Sequence, residues 1–519
     1  MTGTHIPAGA GSRPDLPSPD LQSKGLSRGS LGLFGSVVLG VSSVAPVYAL
    51  TATLGPTVSE VGLQMPAVFL VGFVPMLLVA YGYRELNRVA PDCGTSFTWA
   101  TKAFNPWVGW MAGWGALLAT IIVLSNLAGV AVTFFYLMLG QVTGSSDVVA
   151  FGERTSVHVL TCLVFVAVAT VVAYRGTTLT KRVQYALVGF QLAVLLLFLV
   201  LALVELGSAD RPAQSLDFDP SWLDVTQVSS FSAFTAGLSL SLFIYWGWDT
   251  CLTVNEETEG SARTPGRAAL ACIAVIVVTY LGTAIVLQMY AGIGTEGLGL
   301  GNPETSDNVF AALAGPVMGP GLASLLFLAV VASSASSLQT TFLPPARTLL
   351  AMATYRALPG RFARVHPRFR SPSVATVACG VAAGAFYALM VLVSENVLLD
   401  TIYALGLMIC FYYGITAAAC VWYFRHELLS SPRDLLLKGV VPGVGALLLL
   451  AVFVQTAVDT LDPAYGSGSS VLGVGSVFVV GIGSLLLGVA LMLLWRRRHP
   501  AFFRGETLHT DTPSLVLED

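Results

Sequence analysis

The chain has 519 residues, of which 55% are hydrophobic and 11% are charged, and its mean hydropathy is +0.76. A soluble globular protein carries about 25% charged residues. With less than half of that share, the chain has too few charges to cover a soluble surface. Composition therefore excludes a soluble enzyme, a nucleic-acid-binding protein and a disordered regulator, whereas the formal net charge of −3 indicates nothing about partners.

About twelve apolar runs are long enough to cross a bilayer, which takes roughly 20 residues of helix. The predicted spans are residues 31–54, 66–83, 106–140, 157–174, 182–206, 228–256, 267–292, 320–350, 373–393, 398–423, 436–458 and 473–495. We therefore predict an all-α integral membrane protein without a soluble domain. Residues 1–29 are rich in Gly, Pro and Ser, lack the features of a secretory signal and are predicted to form a disordered cytosolic tail. Residues 500–519 are predicted to form a second cytosolic tail.

Lysine and arginine lie almost entirely on one side of this topology. Twenty-four of the 26 fall on the side of both termini, and only Arg154 and Arg211 fall on the other. Positive residues concentrate in cytosolic loops, and a miscounted helix would exchange sides for every loop that follows it. The asymmetry therefore predicts a multi-pass protein of the cell (plasma) membrane with both termini in the cytosol.

One acidic residue, Asp249, lies deep inside a predicted span, and no Lys or Arg does. An ionised carboxylate at the bilayer centre costs roughly 2.5–3.5 kcal/mol on insertion scales, so it usually faces water, takes up a proton or meets a cation. The preceding residues are Tyr245, Trp246, Gly247 and Trp248. A glycine between two indoles indicates a helix break with aromatic faces that can hold an organic cation. The alternatives are a protonated Asp capping a broken helix and plain aromatic packing.

The first predicted helix has a similar irregularity between Ser42 and Tyr48. Pro46 lies near the middle of the run and removes one backbone hydrogen bond, and Ser42 and Ser43 can satisfy the freed carbonyls. By itself this pattern also fits an ordinary proline kink. Helices 1 and 6 stand at equivalent places if helices 1–5 and 6–10 form two inverted halves. Interrupted helices at such positions indicate a transporter substrate site at the membrane midplane.

Other kinds of site have weaker signals. The six His residues are scattered, no HExxH motif occurs, and neither charged rings nor a repeated filter sequence is present, so a metalloenzyme, a hydrolase and a channel are disfavoured. No metal or cofactor is predicted. The seven Cys residues form no CxxC pair and are predicted to be packing residues. Helix 8 carries a hydroxyl run that includes Ser333 and Ser334, which fits either helix packing or a sodium or substrate contact.

Several stretches resemble the amino acid–polyamine–organocation (APC) superfamily of permeases. Tyr81 to Trp114 (YGYRELNRVAPDCGTSFTWATKAFNPWVGWMAGW) is similar to the family signature across helix 2, its inner loop and helix 3. Phe243 to Pro265 (FIYWGWDTCLTVNEETEGSARTP) resembles the broken helix 6 and its Glu-Glu-Thr exit. Arg347 to His366 resembles the loop after helix 8, and Asn126 falls where members often place a polar residue in helix 3. The resemblance covers about residues 31–425.

The resemblance implies a LeuT-type fold with a five-plus-five inverted repeat and discontinuous helices 1 and 6. The transporter core would comprise residues 30–425, and peripheral helices 11 and 12 would lie within residues 426–499. Substrate would cross by alternating access without covalent chemistry, so the chain is predicted not to be an enzyme.

The resemblance also implies roles for particular residues. The substrate site would comprise Ser42, Ser43, Ala45, Pro46, Tyr48, Asn126, Phe243, Tyr245, Trp246, Gly247 and Trp248. Helix 1 would bind the amino and carboxylate groups through its backbone, and Phe243 would be the aromatic gate. The proton or cation site would comprise Asp249, Ser333, Ser334 and Gln191. Gln191 stands about where proton-coupled members carry a Lys, and since an amide cannot cycle a proton, Asp249 is the candidate. Glu256 and Glu257 are predicted to pair with inner-loop arginines as a cytosolic gate, the alternative being a solvated helix end.

One departure from the family pattern bears on the substrate. Many amino acid permeases have Gly-Ser-Gly in helix 1, whereas this chain has Ser-Ser-Val-Ala-Pro, and a proline there resembles amine and polyamine permeases. We therefore predict secondary active transport of an amino acid or related organic amine, coupled to H+ or Na+ in a lipid bilayer. The alternatives are a polyamine or small-amine permease and, less favoured, a non-transporting receptor of the same fold. Oligomeric state and flux direction stay open.

Overall fold

The structure is a computed structural model that describes residues 24–515 apart from residues 177–179, 210 and 395. The α-helices in chain order are α1 (Leu33–Val44), α2 (Pro46–Val61), α3 (Met65–Val89), α4 (Ser96–Ala103), α5 (Pro106–Thr143), α6 (Ser146–Glu153), α7 (Thr155–Tyr174), α8 (Thr180–Leu206), α9 (Phe231–Ile244), α10 (Thr250–Thr253), α11 (Thr264–Ala291), α12 (Val309–Thr341), α13 (Leu343–Thr354), α14 (Ser373–Met390), α15 (Val397–Tyr423), α16 (Pro432–Asp434), α17 (Val441–Asp459), α18 (Ser476–Phe478), α19 (Ser484–Arg498) and α20 (Pro500–Phe503). Two short antiparallel strands, β1 (Ser470–Val471) and β2 (Val474–Gly475), precede α18.

Ten helical segments of the described chain are long and apolar enough to cross a membrane. One of these segments, Leu33–Val89, contains α1, α2 and α3, which are separated only by Ala45 and a 3-10 turn at Gly62–Gln64. The multi-pass helical architecture is therefore as predicted, whereas the count of twelve spans and the inverted repeat stay predictions.

Helix 8 differs most from its predicted bounds. The predicted span of 320–350 is divided in the structure between α12, which begins at Val309, and α13. Gly319 has φ +71° between Pro316 and Pro320, and the helix continues on both sides of this kink. The prediction began at the prolines because they break the helical hydrogen-bond ladder, but the turns before them are also helical.

Helix 2 also extends beyond its predicted end. The prediction stopped at residue 83, before Arg84, because charges end an apolar run. In the structure α3 continues to Val89, and the buried carboxylate of Glu85 pairs with Arg84 at 2.7 Å. The helix therefore extends past the apolar segment, and α4 occupies part of the predicted inner loop.

The centre of the bundle is formed by α5 and α15, which are the most enclosed long helices, and by α12, which packs along α5. The broken pair α1 and α2 packs against α12, and α9 packs against α3, α15 and α2. The two last long helices, α17 and α19, lie outside this centre, where α17 contacts α15 and α3 and α19 contacts α5. The interrupted helices 1 and 6 are therefore enclosed on several sides.

Both ends of the described chain lie at the same side of the bundle, which we call the basic face. Lys24 contacts Asp92 in the loop after α3 (2.7 Å), and Lys102 of α4 donates to the carbonyl of Thr512 (2.6 Å). On the predicted topology, 24 of the 26 lysines and arginines fall on the side of the two termini. Residues 1–23 lie outside the described residues, so their predicted disorder stays a prediction. Residues 24–29 are described, and Lys24 and Leu26 are buried.

Candidate functional site

The break in helix 1 lies at Ala45. This residue has φ 53° and ψ 66°, a left-handed conformation, between the last residue of α1 and Pro46 at the start of α2. Proline has no N–H to continue a helix, and its ring disfavours the helical conformation in the residue before it. The amide of Ala45 donates to the carbonyls of Ser42 and Val41 at 3.2 Å, which closes the end of α1. Helix 1 is therefore interrupted at the proline, as predicted.

The break in helix 6 extends from Tyr245 to Asp249, between α9 and α10. Gly247 has φ +109°, a conformation that side-chain-bearing residues rarely adopt and glycine adopts readily. Glycine in the middle of the break thus permits the turn that the sequence predicts.

The two breaks lie in direct contact. A Cβ atom added to Gly247 would lie 3.1 Å from the carbonyl carbon and oxygen of Ser43 and 3.2 Å from the amide nitrogen of Val44. The hydroxyls of Ser43 and Thr250, the first residue of α10, are 2.7 Å apart. The chain therefore brings together two interrupted segments that are about 200 residues apart in sequence.

Hydroxyl residues of α12 contact the break in helix 1. Ser337 Oγ donates to the carbonyl of Ser43 (2.8 Å), and Ser333 Oγ accepts from the amide of Tyr48 (3.3 Å). These serines are four residues apart and therefore share one face of the helix. Ser334 lies off this face, and its buried Oγ has no hydrogen-bond partner among the described residues. Of the two predicted serines, Ser333 contacts helix 1.

A glutamine of α8 that was not predicted as a site residue, Gln184, connects helix 1 to α12. Gln184 Oε1 accepts from Ser42 Oγ (2.7 Å), and its Nε2 donates to the carbonyl of Ser336 (3.2 Å). Gln191, the predicted residue, lies about two turns further along α8, and its Nε2 is 3.5 Å from Ser336 Oγ. Gln184 could have been identified from the sequence, because it lies about two helical turns before Gln191 in the same predicted helix.

The carboxylate of Asp249 is buried, and no described Lys or Arg forms an ion pair with it. The residue is 6% exposed, and its Oδ2 accepts from Tyr412 Oη at 3.3 Å. Tyr412 Oη in turn accepts from Trp246 Nε1 at 2.5 Å, which ties both ends of the break to α15. Tyr412 was missed because sequence alone does not show which helix faces the break.

Of two further predicted site residues, Phe243 contacts helix 1 and Asn126 contacts α15. Phe243 packs edge-on against Tyr48, with ring centroids 6.1 Å apart, so it joins α9 to α2. Asn126 Oδ1 accepts from Thr401 Oγ1 of α15 (2.8 Å). The buried Asn126 Nδ2 and Tyr48 Oη have no hydrogen-bond partner among residues that the structure describes.

The other two aromatic residues of the break point towards neighbouring helices. The ring of Tyr245 packs against Tyr280 of α11 at 5.6 Å. Trp248 packs against Tyr83 of α3 and Tyr413 of α15, both at 5.1 Å. These ring contacts hold the irregular segment against α3, α11 and α15. That Tyr245 and Trp248 line the substrate site stays a prediction.

Two groups of buried ion pairs lie at the basic face. Glu257 pairs with Arg347 of α13, and both side chains are almost fully buried. Glu256 pairs instead with Lys24, at 2.6 Å, and the same ammonium lies 2.7 Å from Asp92. Among the described residues, the expected arginine partner is therefore present for Glu257, whereas Glu256 pairs with a lysine before α1.

Lys24, Asp92 and Glu256 form a buried group that we call the Lys24 cluster, in which the pKa values of Lys24 and Asp92 are shifted towards the charged forms. Burial alone would lower the pKa of Lys24, but the carboxylates of Asp92 and Glu256 raise it well above the ordinary value. Burial alone would raise the pKa of Asp92, but the Lys24 ammonium and hydrogen bonds from Tyr355 and the Gly94 amide lower it. Each partner thus stabilises the charged form of the other.

The carboxyl-terminal segment packs on the basic face beside these ion pairs. Thr507 Oγ1 donates to the carbonyl of Tyr355 (2.6 Å), and the ring of Phe502 stacks on Phe97 of α4 at 5.6 Å. Leu508 is fully buried. The described part of the predicted 500–519 tail therefore packs on the loop that carries Asp92.

A family model described as "Amino acid permease" matches residues 31–495 of the chain. The chain belongs to the amino acid permease family. The match extends over the signature loop, both breaks and the last two long helices, and it places the chain in the APC superfamily as predicted. The family comprises transporters, in agreement with the prediction of transport rather than catalysis.

Individual relatives are distant and differ in what their names say they carry. The chain is 23% identical to the methylthioribose transporter of Bacillus subtilis (strain 168), over 70% of this chain and 76% of that protein. It is 21% identical to the low-affinity putrescine importer PlaP of Escherichia coli (strain K12), over 82% of this chain and 88% of that protein. Among solved structures, MhsT in complex with L-phenylalanine matches with a TM-score of 0.59 and 14% identity, over 83% of this chain and 99% of MhsT. This permease therefore has the LeuT-type fold.

Proposed function

We propose that this permease is a secondary active transporter of an amino acid or a related organic amine. It works by alternating access in the cell membrane, with H+ or Na+ as the coupling ion. The observation that carries the proposal is the buried carboxylate of Asp249, which has no cationic partner within the described chain and lies beside the touching breaks of helices 1 and 6. An isolated buried charge is strongly unfavourable, so a proton, a cation or the ammonium of the substrate balances it.

The helix ends around the breaks favour an ammonium group. The carboxyl-terminal ends of α1 and α9 meet there, and such ends carry partial negative charge. Asp249 lies at the other end of the same break, at the start of α10, and its carboxylate adds negative charge to the site. Tyr48 Oη and Asn126 Nδ2 are buried, have no hydrogen-bond partner among the described residues and would bind the rest of the substrate. A site of this kind favours a small molecule with one cationic end and a few polar groups.

The geometry of the breaks also supports a second candidate, a small amine without a carboxylate. The amino-terminal amides of α2 are the natural place for a carboxylate. Pro46 has no amide hydrogen, and the amide of Tyr48 is already donated to Ser333 Oγ. Fewer donors therefore remain for an anion than a helix start normally offers, and the likeness to a putrescine importer supports the same alternative.

An uptake panel in proteoliposomes tests both candidates. Matched pairs, such as leucine with isoamylamine and ornithine with putrescine, differ only in the carboxylate. Each labelled compound is offered with a proton gradient alone and with a sodium gradient alone. Accumulation of an amino acid above equilibrium supports the first candidate, and stronger accumulation of its decarboxylated partner supports the second. Binding of these compounds without accumulation under either gradient would contradict transport and support a receptor.

We propose that the Lys24 cluster is the cytosolic gate of the transporter. Replacement of Lys24 by glutamine removes two buried ion pairs and leaves Asp92 and Glu256 facing each other. Loss of one partner of a buried pair costs about 3–5 kcal/mol, enough to open the gate at least about tenfold more often. The readout is Cys93, which is fully buried and whose amide donates to Glu256 at 2.9 Å.

A membrane-impermeant maleimide measures the opening, in a background where the other six cysteines are alanine. Lys24→Gln is expected to raise the labelling rate of Cys93 from the cytosolic side by at least about tenfold. Lys438→Gln is the matched control, because Lys438 pairs with Glu427 and Asp434 on the same face outside the gate. Equal labelling rates in both variants would show that Lys24 does not hold the gate.

A further inference from the structure

A long open groove runs between α7 and α14 on the outside of the bundle. It consists of three adjoining depressions of about 600, 440 and 390 Å³ that share Val377. Val381 and Ala385 line two of them, as do Thr170 and Val171. Shared walls make the three depressions one feature, which we call the α7–α14 groove.

The floor of the α7–α14 groove is formed where the two helices touch. A Cβ atom on Gly380 would lie 2.1 Å from Thr170 Oγ1, so glycine is needed for this approach. The walls are apolar and open outward, with Val381 68% and Val377 44% exposed. In a membrane-spanning bundle such a surface faces lipid chains.

The length of the α7–α14 groove matches one leaflet of a bilayer. Its lining extends from Leu163 to Tyr174 on α7 and from Ser373 to Ala385 on α14. About twelve residues of helix span roughly 18 Å, and half of the hydrocarbon core is about 15 Å thick. The end of the groove at Tyr174 lies at the basic face. There the carbonyl of Tyr174 accepts a hydrogen bond from Ser371 Oγ at 2.6 Å.

Two arginines at this end of the α7–α14 groove have no acidic partner in the part of the chain that the structure describes. Arg361 lines the largest depression, and Arg175 lines the one beside it. Neither forms an ion pair with a described residue. The sequence contains no Asp or Glu from residue 155 to 204 or from 308 to 394, so both flanks of the groove lack carboxylates.

We propose that the α7–α14 groove binds one anionic phospholipid of the leaflet at the basic face. The phosphate lies between Arg175 and Arg361, and one acyl chain lies along Val377 and Val381. Guanidinium groups bind phosphate oxygens with paired hydrogen bonds, and the two unbalanced positive charges select a headgroup with a net negative charge.

Charge disfavours a second copy of the chain as the occupant. A two-fold interface places the same patch of both copies face to face. Two such copies would bring Arg175 and Arg361 of one near those of the other, with no carboxylate on the flanks to balance them. Like charges placed together in an interface are unfavourable, whereas a phosphate is complementary.

Native mass spectrometry of the purified full-length protein tests the site. The probes are phosphatidylglycerol and phosphatidylcholine with identical acyl chains, added in equal amounts. We expect the wild-type protein to retain one phosphatidylglycerol in preference. Arg175→Gln with Arg361→Gln is expected to weaken that binding roughly 30-fold. The control double variant, Arg425→Gln with Arg496→Gln, removes two arginines that lie over Trp rings elsewhere on the same face and is expected to bind as the wild type does.

A second variant tests the acyl chain separately from the charges. Ala385→Trp fills the α7–α14 groove with both arginines in place and is expected to lower phosphatidylglycerol binding. Leu196→Trp, on the exposed side of α8, is the control and is expected to leave it unchanged. Equal retention of the two lipids, or equal loss in the two double variants, would overturn the proposal. So would a dimer that Ala385→Trp dissociates while lipid binding persists, because the occupant would then be a second copy.

Discussion

Replacing Asp249 by asparagine is expected to abolish accumulation of substrate while the protein still inserts and folds. An amide keeps the shape of the side chain and its acceptor for Tyr412 Oη but can neither take up a proton nor balance a cation. Loss of one partner of a buried charge pair costs about 3–5 kcal/mol, so uptake is expected to fall at least about 100-fold. The measurement is initial uptake in proteoliposomes under the gradient that drives the wild-type protein.

Two further variants make the Asp249 result specific. Asp217→Asn removes a carboxylate that is exposed and pairs with Arg211 at 2.8 Å, and it is expected to leave uptake unchanged. Tyr412→Phe keeps the carboxylate of Asp249 and removes its hydrogen-bond donor, so a partial loss is expected. Wild-type uptake by Asp249→Asn would exclude this residue from substrate binding and coupling alike.

Replacing Gly247 by alanine is expected to impair transport by separating the two breaks. The new Cβ would lie 3.1 Å from the Ser43 carbonyl, which is backbone and has little freedom to move. The φ of +109° adds strain of about 1–3 kcal/mol for a residue with a side chain. We expect at least about a tenfold loss of substrate affinity in a radioligand binding assay, with a matching loss of uptake.

Gly282→Ala is the matched control for Gly247→Ala. Gly282 lies inside α11, and a Cβ atom there would meet nothing within 4 Å. Alanine is also the better helix former, so this variant is expected to bind and transport as the wild type does. Equal behaviour of the two glycine variants would mean that close contact of the breaks is not required.

The positions of the breaks were predictable because their causes are local. Pro46 lacks an amide hydrogen, and Gly247 permits a positive φ, whatever the rest of the chain does. The unusual position of Asp249 was also predictable, because an acidic residue inside an apolar run is rare and can be recognised from its own segment of the sequence.

The partners of these residues were not predictable in the same way. Tyr412, Gln184 and Lys24 reach the site from helices or loops that are distant in sequence, and one sequence without a fold does not indicate which side chains meet. The directions of Tyr245 and Trp248 are set by an irregular backbone, to which helical periodicity does not apply.

Helix ends were the least predictable part of the fold. An apolar run ends at the first charges, but a helix ends where its hydrogen bonds end, and these points differ when the helix extends into a loop. For α3 the difference is the segment from Arg84 to Val89, and for α12 it is the turns before Gly319. Both extensions lie at the ends of their helices and include neither Ala45 nor Gly247, so the predicted positions of the breaks were unaffected.

A cryo-EM structure of the permease with a transported amine bound tests the central claim most directly, because it locates the substrate relative to both breaks. The expected result is an ammonium group about 2.7–3.2 Å from a carboxylate oxygen of Asp249, enclosed by the segments around Ala45 and Gly247. A substrate bound outside these segments, or helices 1 and 6 that are continuous and apart with Asp249 facing lipid, would contradict it.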